Sequence, residues 1–116
     1  MSHPSKIKGR AWESAIVDYL RPSFPTAERR ALAGAADLGD ITGISPQLVI
    51  EAKNAARIEL AAWLDEATAE AANARADIGV VWAKRRGRSS PGAGYVVMDG
   101  ATFAAILRAL RGTGVL

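Results

Sequence analysis

Three stretches of the chain repeat apolar residues at helical spacing and are predicted to be helices. The first covers residues 8–20 and ends before Pro22, because proline cannot continue a helix. The second covers residues 57–75, and the third follows Asp99, which can cap it. The predicted apolar stripes are Trp12, Ile16, Tyr19 and Leu20, then Leu60, Trp63, Leu64, Ala67, Ala71 and Ala74, and finally Phe103, Ile106, Leu107 and Leu110. We expect Glu59, Asp65, Glu66 and Glu70 to lie largely on other faces of the second helix.

Five shorter runs are predicted to be strands. They cover residues 27–33, 40–43, 48–53, 78–83 and 95–98, and a turn over 34–39 separates the first two. The order is helix, three strands, helix, two strands, helix. It predicts a single α/β domain over residues 1–116, with a five-stranded mixed sheet flanked by helices. Residues 1–7 are expected to form a mobile basic N-terminal arm.

Composition narrows the classes of chemistry. The 116 residues contain no cysteine and a single histidine, His3, which excludes disulfides, cysteine-ligated zinc, thiol nucleophiles and histidine clusters. No apolar run approaches the roughly 20 residues of a membrane span, and the N-terminus has no apolar signal core. We therefore expect a cytoplasmic protein. Its alanine-rich helices predict a thin core, for which a homodimer is a plausible completion.

The net charge of +3 is small, but the basic residues are clustered. The candidates for contact with DNA phosphates are Lys6, Lys8, Arg10, Arg29, Arg30, Lys84, Arg85, Arg86 and Arg88. Lys84 to Arg88 form the densest group and lead into a Ser/Gly/Pro loop. For Lys6, Lys8, Arg10, Arg29 or Arg30 taken singly, a solubilising surface is the simpler interpretation, whereas the group from Lys84 to Arg88 is the stronger candidate.

Strand periodicity points to a catalytic constellation. Glu51 and Lys53 are two residues apart on an apolar strand, so their side chains point to the same face of the sheet. Asp40 begins the preceding short strand, and the two carboxylates can meet if the strands are neighbours. Carboxylate oxygens suit Mg²⁺, and a nearby lysine can orient a water or stabilise developing charge. Phosphodiester hydrolysis fits such a site, although a Glu-x-Lys triplet alone is usually part of a solvated edge strand.

The run Gly39-Asp40-Ile41, followed by Val49-Ile50-Glu51-Ala52-Lys53, resembles the PD-(D/E)xK nuclease superfamily. Within it, the chain is similar to Holliday junction resolvases of the archaeal and actinobacterial-phage type. The resemblance implies a restriction-endonuclease-like fold and a Mg²⁺-dependent endonuclease, with Mn²⁺ as a substitute. It also implies catalytic roles for Glu13, Asp40, Glu51 and Lys53. Glu13, Asp40 and Glu51 would bind the metal, and Lys53 would act on the attacking water.

Several alternatives stay open. A glycine stands where the motif name has proline before the aspartate, and Asp37 is a rival to Asp40, although a turn role suits Asp37 better. The leading hypothesis is a homodimer that resolves four-way DNA junctions. The others are a flap, single-strand or recombination exonuclease of the same superfamily, and a DNA-binding module without cleavage.

Overall fold

Five strands pair in the order in which they occur along the chain and form one mixed sheet. They are β1 (Glu28–Arg29), β2 (Ile41–Thr42), β3 (Leu48–Lys53), β4 (Ile78–Ala83) and β5 (Tyr95–Val97). Strands β3 and β4 are parallel, and the other three neighbouring pairs are antiparallel. The computed structural model describes residues 4–30 and 39–116. It confirms the predicted α/β fold class, and it adds a short 3-10 helix, Pro91–Ala93, before β5.

Three helices flank the sheet, namely α1 (Pro4–Leu20), α2 (Leu60–Ala74) and α3 (Gly100–Leu110). Helix α1 begins four residues earlier than predicted, and it includes residues 4–7 of the segment that was expected to form an N-terminal arm. Pro4 can start the helix because the first helical position needs no backbone N–H donor. Asp99 caps α3 as predicted, since its Oδ1 accepts a hydrogen bond of 2.8 Å from the backbone N–H of Thr102.

Alternation along β3 and β4 divides the core between the two faces of the sheet. On one face, α1 packs a cluster that consists of Trp12, Ile16, Val17, Ile41, Ile50 and Val80. On the other face, α2 packs a smaller cluster of Trp63, Ala67, Val81 and Ala83. The odd-numbered residues of β3, which include Glu51 and Lys53, belong to the α2 face. The candidate catalytic residues of this strand therefore point toward a helix.

Helix α2 lies unusually close to β4. A Cβ atom added at Gly79 would lie 2.6 Å from the backbone oxygen of Ala67 and 3.1 Å from the Cβ of Ala71. Only small residues allow this approach, which explains the alanines on the buried face of α2. The close packing brings every side chain on that face within reach of the sheet.

Two tryptophans connect α1, β4 and the segment that follows β4. The indole Nε1 of Trp12 donates a 3.0 Å hydrogen bond to the backbone oxygen of Trp82. The indole of Trp82 in turn donates a 3.0 Å hydrogen bond to the backbone oxygen of Pro91. Tyr19 packs edge-on against the Trp82 ring at a centroid distance of 6.1 Å. Both indoles therefore bond within the domain, where Trp12 belongs to the core cluster and Trp82 packs against it.

Some predicted core positions are exposed. No residue of α3 is buried, and Phe103 in its predicted apolar stripe is 52% exposed. Leu60, the first residue of α2, is also half exposed, as are Tyr95 and Val96 of the edge strand β5. No helix in the part of the chain that the structure describes is long and apolar enough to cross a membrane.

Candidate functional site

Asp40 and Glu51 are brought together by the pairing of β2 with β3, in which Ile41 lies opposite Ile50. The backbone N–H of Asp40 donates to the oxygen of Ile50 at 2.9 Å. Oδ2 of Asp40 accepts a 2.8 Å hydrogen bond from the backbone N–H of Ala52. The Asp40 carboxylate is thus fixed against the backbone residue that follows Glu51. The predicted neighbourhood of these two strands is confirmed.

Gly39 makes this placement of Asp40 possible. Its backbone adopts φ +93°, a left-handed conformation that glycine reaches without a steric cost. An added Cβ would also lie 2.6 Å from Cγ1 of Val49 on the neighbouring strand. A glycine, rather than a proline, before the aspartate is therefore required by the backbone of this chain. Asp37, the rival metal ligand, lies outside the described residues.

Lys53 lies on the same face as Glu51 and contacts two carboxylates. Its Nζ is 3.5 Å from Oε1 of Glu51, and 2.7 Å and 3.1 Å from the two oxygens of Glu66 on α2. Burial lowers the pKa of Lys53, but the hydrogen bond to Glu66 and the charges of Glu51 and Glu66 more than offset this and raise it overall. Lys53 is therefore a charged donor at neutral pH, which suits charge stabilisation better than proton abstraction.

Three carboxylates converge between β3 and α2. Oxygens of Glu51, Glu66 and Glu70 lie within 4.8 Å of one another, and Glu51 and Glu70 are 6% and 2% exposed. Burial first, then a hydrogen bond with Glu70 and the charges of Asp40, Glu70 and Glu66, together raise the pKa of Glu51 to about 11. Without a metal, the Glu51–Glu70 pair therefore holds a proton at neutral pH, since two buried carboxylates this close cannot both ionise.

A divalent cation would offset the repulsion between these buried carboxylates, as the shared proton does without metal. Oε2 of Glu51 is buried and receives no hydrogen bond from a described N–H or O–H donor. All the donors are hard carboxylate oxygens. The three carboxylates present could therefore hold a metal ion.

Glu66 and Glu70 were not expected to face the sheet, and that prediction is wrong. Positions 66 and 67 lie three and four residues after 63, and positions 70 and 71 lie three and four residues after 67, so all five form one helical stripe. Because Trp63, Ala67 and Ala71 are buried, the two glutamates between them must lie at the same interface. Two acidic residues inside an otherwise apolar stripe are the signal that sequence reasoning missed.

Glu13 lies near Asp40 but outside the group of three. Burial and then the charge of Asp40 raise its pKa, while contact with Arg29 lowers it in part. The Arg29 guanidinium Nε donates to Oε1 of Glu13 at 3.3 Å. Arg29 therefore neutralises a carboxylate on the α1 side of the sheet. The metal role of Glu13, which the resemblance implied, stays a prediction.

The predicted DNA-contacting residues fall into different settings. The backbone N–H of Lys84 donates to the oxygen of Lys53 at 2.8 Å, so the basic loop begins directly beside the site. In that loop, the guanidinium of Arg85 lies 5.8 Å above the Tyr95 ring. The exposed members of the predicted set are Lys8, Arg10, Arg29, Arg85, Arg86 and Arg88. Lys84 and Arg30 are half-buried. The side chain of Lys6 lies outside the described part of the chain.

Comparisons of the chain with protein-family models, with curated proteins and with solved structures find no match.

Proposed function

We propose that this protein is a metal-dependent endonuclease that hydrolyses DNA phosphodiester bonds in the manner of the PD-(D/E)xK superfamily. The observation that carries the proposal is the convergence of Asp40, Glu51 and Lys53 where β2 meets β3. A buried carboxylate pair that holds a proton in the absence of metal is costly, and a cation-binding role accounts for it. The resemblance of the motif adds the reaction class.

In this proposal, Glu51 holds the metal, with Asp40 on the strand side and Glu70 or Glu66 on the helix side. A bound Mg²⁺ would polarise the phosphoryl group and lower the pKa of a water. The ammonium of Lys53 lies beside Glu51 and donates to the developing negative charge on the phosphate or orients the attacking water. Asp40 keeps its orientation through the Ala52 N–H, so the carboxylate is positioned before the substrate arrives.

The preferred substrate that we propose is a four-way DNA junction, cut by a homodimer. Two sites related by a two-fold axis would place paired nicks in opposite strands. The exposed apolar side chains of α3, among them Phe103 and Leu107, offer surface that a second copy could bury. Because the substrate would be DNA, the compartment that we propose is the cytoplasm.

The test is cleavage of a synthetic four-way junction, a flap and a linear duplex, each with and without Mg²⁺. We expect junction cleavage that requires the metal and falls at least a hundredfold in Asp40→Asn and in Lys53→Ala. Asp65→Asn, an exposed residue on α2, is the matched control and should cut normally. Cleavage that survives chelation, or that survives in both site variants, would contradict the mechanism.

The same experiment separates the alternatives. Preference for the flap or for single-stranded ends would retain the nuclease and assign a different activity of the superfamily. Equal cutting of the linear duplex would remove the junction preference. Tight binding without any cleavage would identify a DNA-binding module. Analytical ultracentrifugation at micromolar concentration should give a dimer mass, and a monomer would contradict paired cutting.

A further inference from the structure

A cleft opens on the α2 face of the sheet, beyond the carboxylate cluster. Its volume is about 600 Å³, and its walls are the end of β2, the start of β3 and the last turn of α2. Arg30 lines it from the strand side, and Arg75 lines it from the helix side. Two guanidinium groups that line one cleft of this size repel each other unless an anion lies between them.

Arg30 is held in place by hydrogen bonds, but one donor of its guanidinium group has no acceptor among the described residues. Its backbone N–H donates to the oxygen of Asp40 at 2.8 Å, and its Nη2 donates to Oγ1 of Thr42 at 3.1 Å. Its Nε is buried and has no hydrogen-bond acceptor among the described residues. A buried guanidinium donor without an acceptor costs free energy, and an oxyanion would supply the missing partner.

Arg75 occupies a backbone conformation that favours glycine. It is the C-cap of α2 with φ 55°, and its N–H donates to the oxygen of Ala72 at 3.1 Å. This left-handed conformation costs a non-glycine residue about 1 kcal/mol or more. An arginine at this position gives up some stability and places an exposed cation in the lining of the cleft.

We propose that the cleft is a phosphate-binding subsite in which Arg30 and Arg75 hold a nucleic-acid phosphate next to the one that is cut. The proposal rests on the proposed function for the identity of that neighbour. Val49 lines the cleft, and Glu51 lies two residues further along β3, roughly 7 Å away along the strand. This separation corresponds to one or two nucleotides of the same DNA strand. In this way the subsite would orient the DNA strand across the carboxylate cluster.

The test measures binding of a short fluorescent oligothymidylate to the full-length protein over a series of salt concentrations, in chelator so that no cleavage occurs. Loss of one phosphate contact should lower the slope of log affinity against log salt by about 0.7. We expect this decrease for Arg75→Gly and for Arg30→Gln. Arg75→Gly should fold at least as well as the parent, because glycine favours the φ found there. The matched control is Arg111→Gly at the C-cap of α3, which should leave the slope unchanged.

Oligothymidylates with and without a 5′-phosphate identify the source of the anion. An Arg75→Gly effect on both probes assigns an internal phosphodiester, and an effect only on the phosphorylated probe assigns a strand end. Equal slopes for Arg75→Gly and Arg111→Gly on both probes would overturn the subsite, even if the protein is a nuclease. Conversely, a specific Arg75 effect in a protein that never cleaves DNA would leave the subsite intact and contradict the nuclease.

Discussion

Nζ of Lys53 lies 2.7 Å from Oε2 of Glu66, closer than it lies to Glu51 on its own strand. The lysine that the motif assigns to catalysis is thus paired with a carboxylate from α2. This pairing connects α2 to the face of the sheet that carries Glu51, and it keeps the lysine charged. Helix α2 is therefore part of the site and more than a cover for it.

Glu66→Gln should lower the pKa of Lys53, because the Glu66 hydrogen bond and charge both raise it. The free energy of unfolding should change by less than about 1 kcal/mol, since the Glu66 side chain is 39% exposed. Titration of the lysine by NMR, together with chemical denaturation, checks both expectations. Asp65→Asn on the same helix is the control, and an equal pKa shift there would contradict the pairing.

The metal-free protein should lose stability as the pH rises. The pKa of Glu51 is about 11 in the folded chain and about 4.5 in the unfolded chain, so the folded state binds the extra proton between these values. The resulting stability is complete below about pH 4.5 and is lost progressively toward pH 11. Glu51→Gln removes this dependence and should stabilise the metal-free protein at neutral pH. Denaturation in chelator at acidic, neutral and alkaline pH compares the two proteins, and an unchanged pH slope would contradict the assignment.

Divalent cations should stabilise the parent protein and release protons. Mg²⁺ or Mn²⁺ that binds only the folded state adds about 1.4 kcal/mol for each tenfold excess over its dissociation constant. Because Glu51 and Glu70 hold a proton without metal, binding should release close to one proton near neutral pH. Calorimetry in buffers of different ionisation enthalpy measures that number. Glu70→Gln should lose both effects, while Asp65→Asn retains them.

Two glycine-to-alanine substitutions should have opposite effects on the stability of the protein. Gly79→Ala would place a Cβ atom 2.6 Å from the backbone oxygen of Ala67, so α2 must move away from β4. We expect a loss of about 1–3 kcal/mol. Gly9→Ala meets nothing within 4 Å inside α1 and should stabilise the protein by up to about 1 kcal/mol. Thermal denaturation of both variants is the measurement, and a neutral Gly79→Ala would show that the helix is less tightly packed.

The strands could be predicted because β-branched runs and glycine turns report local preferences. Strand periodicity placed Glu51 and Lys53 on one face of the sheet, whereas the meeting of Asp40 with Glu51 depended on whether their strands are neighbours. The helical spacing of Glu66 and Glu70 could have placed them beside Trp63 and Ala67, but their closeness to Glu51 depends on how closely α2 approaches Gly79, which is a tertiary distance. The exposure of Phe103 was missed because an apolar stripe shows what a helix can bury, without showing what covers it.

The hydrogen bonds of Trp12 and Trp82 connect the basic loop, residues 84–90, to the rest of the domain. The Trp12 indole on α1 donates to the backbone of Trp82 on β4. The Trp82 indole donates to the backbone of Pro91 at the far end of the loop. At its near end, the loop is hydrogen-bonded to the lysine strand through Lys84. Both ends of the basic loop are therefore fixed to the domain, one to β3 through Lys84 and the other to the Trp82 indole through Pro91, so a shift of either end would be felt by the strands that carry Lys53 and Trp82.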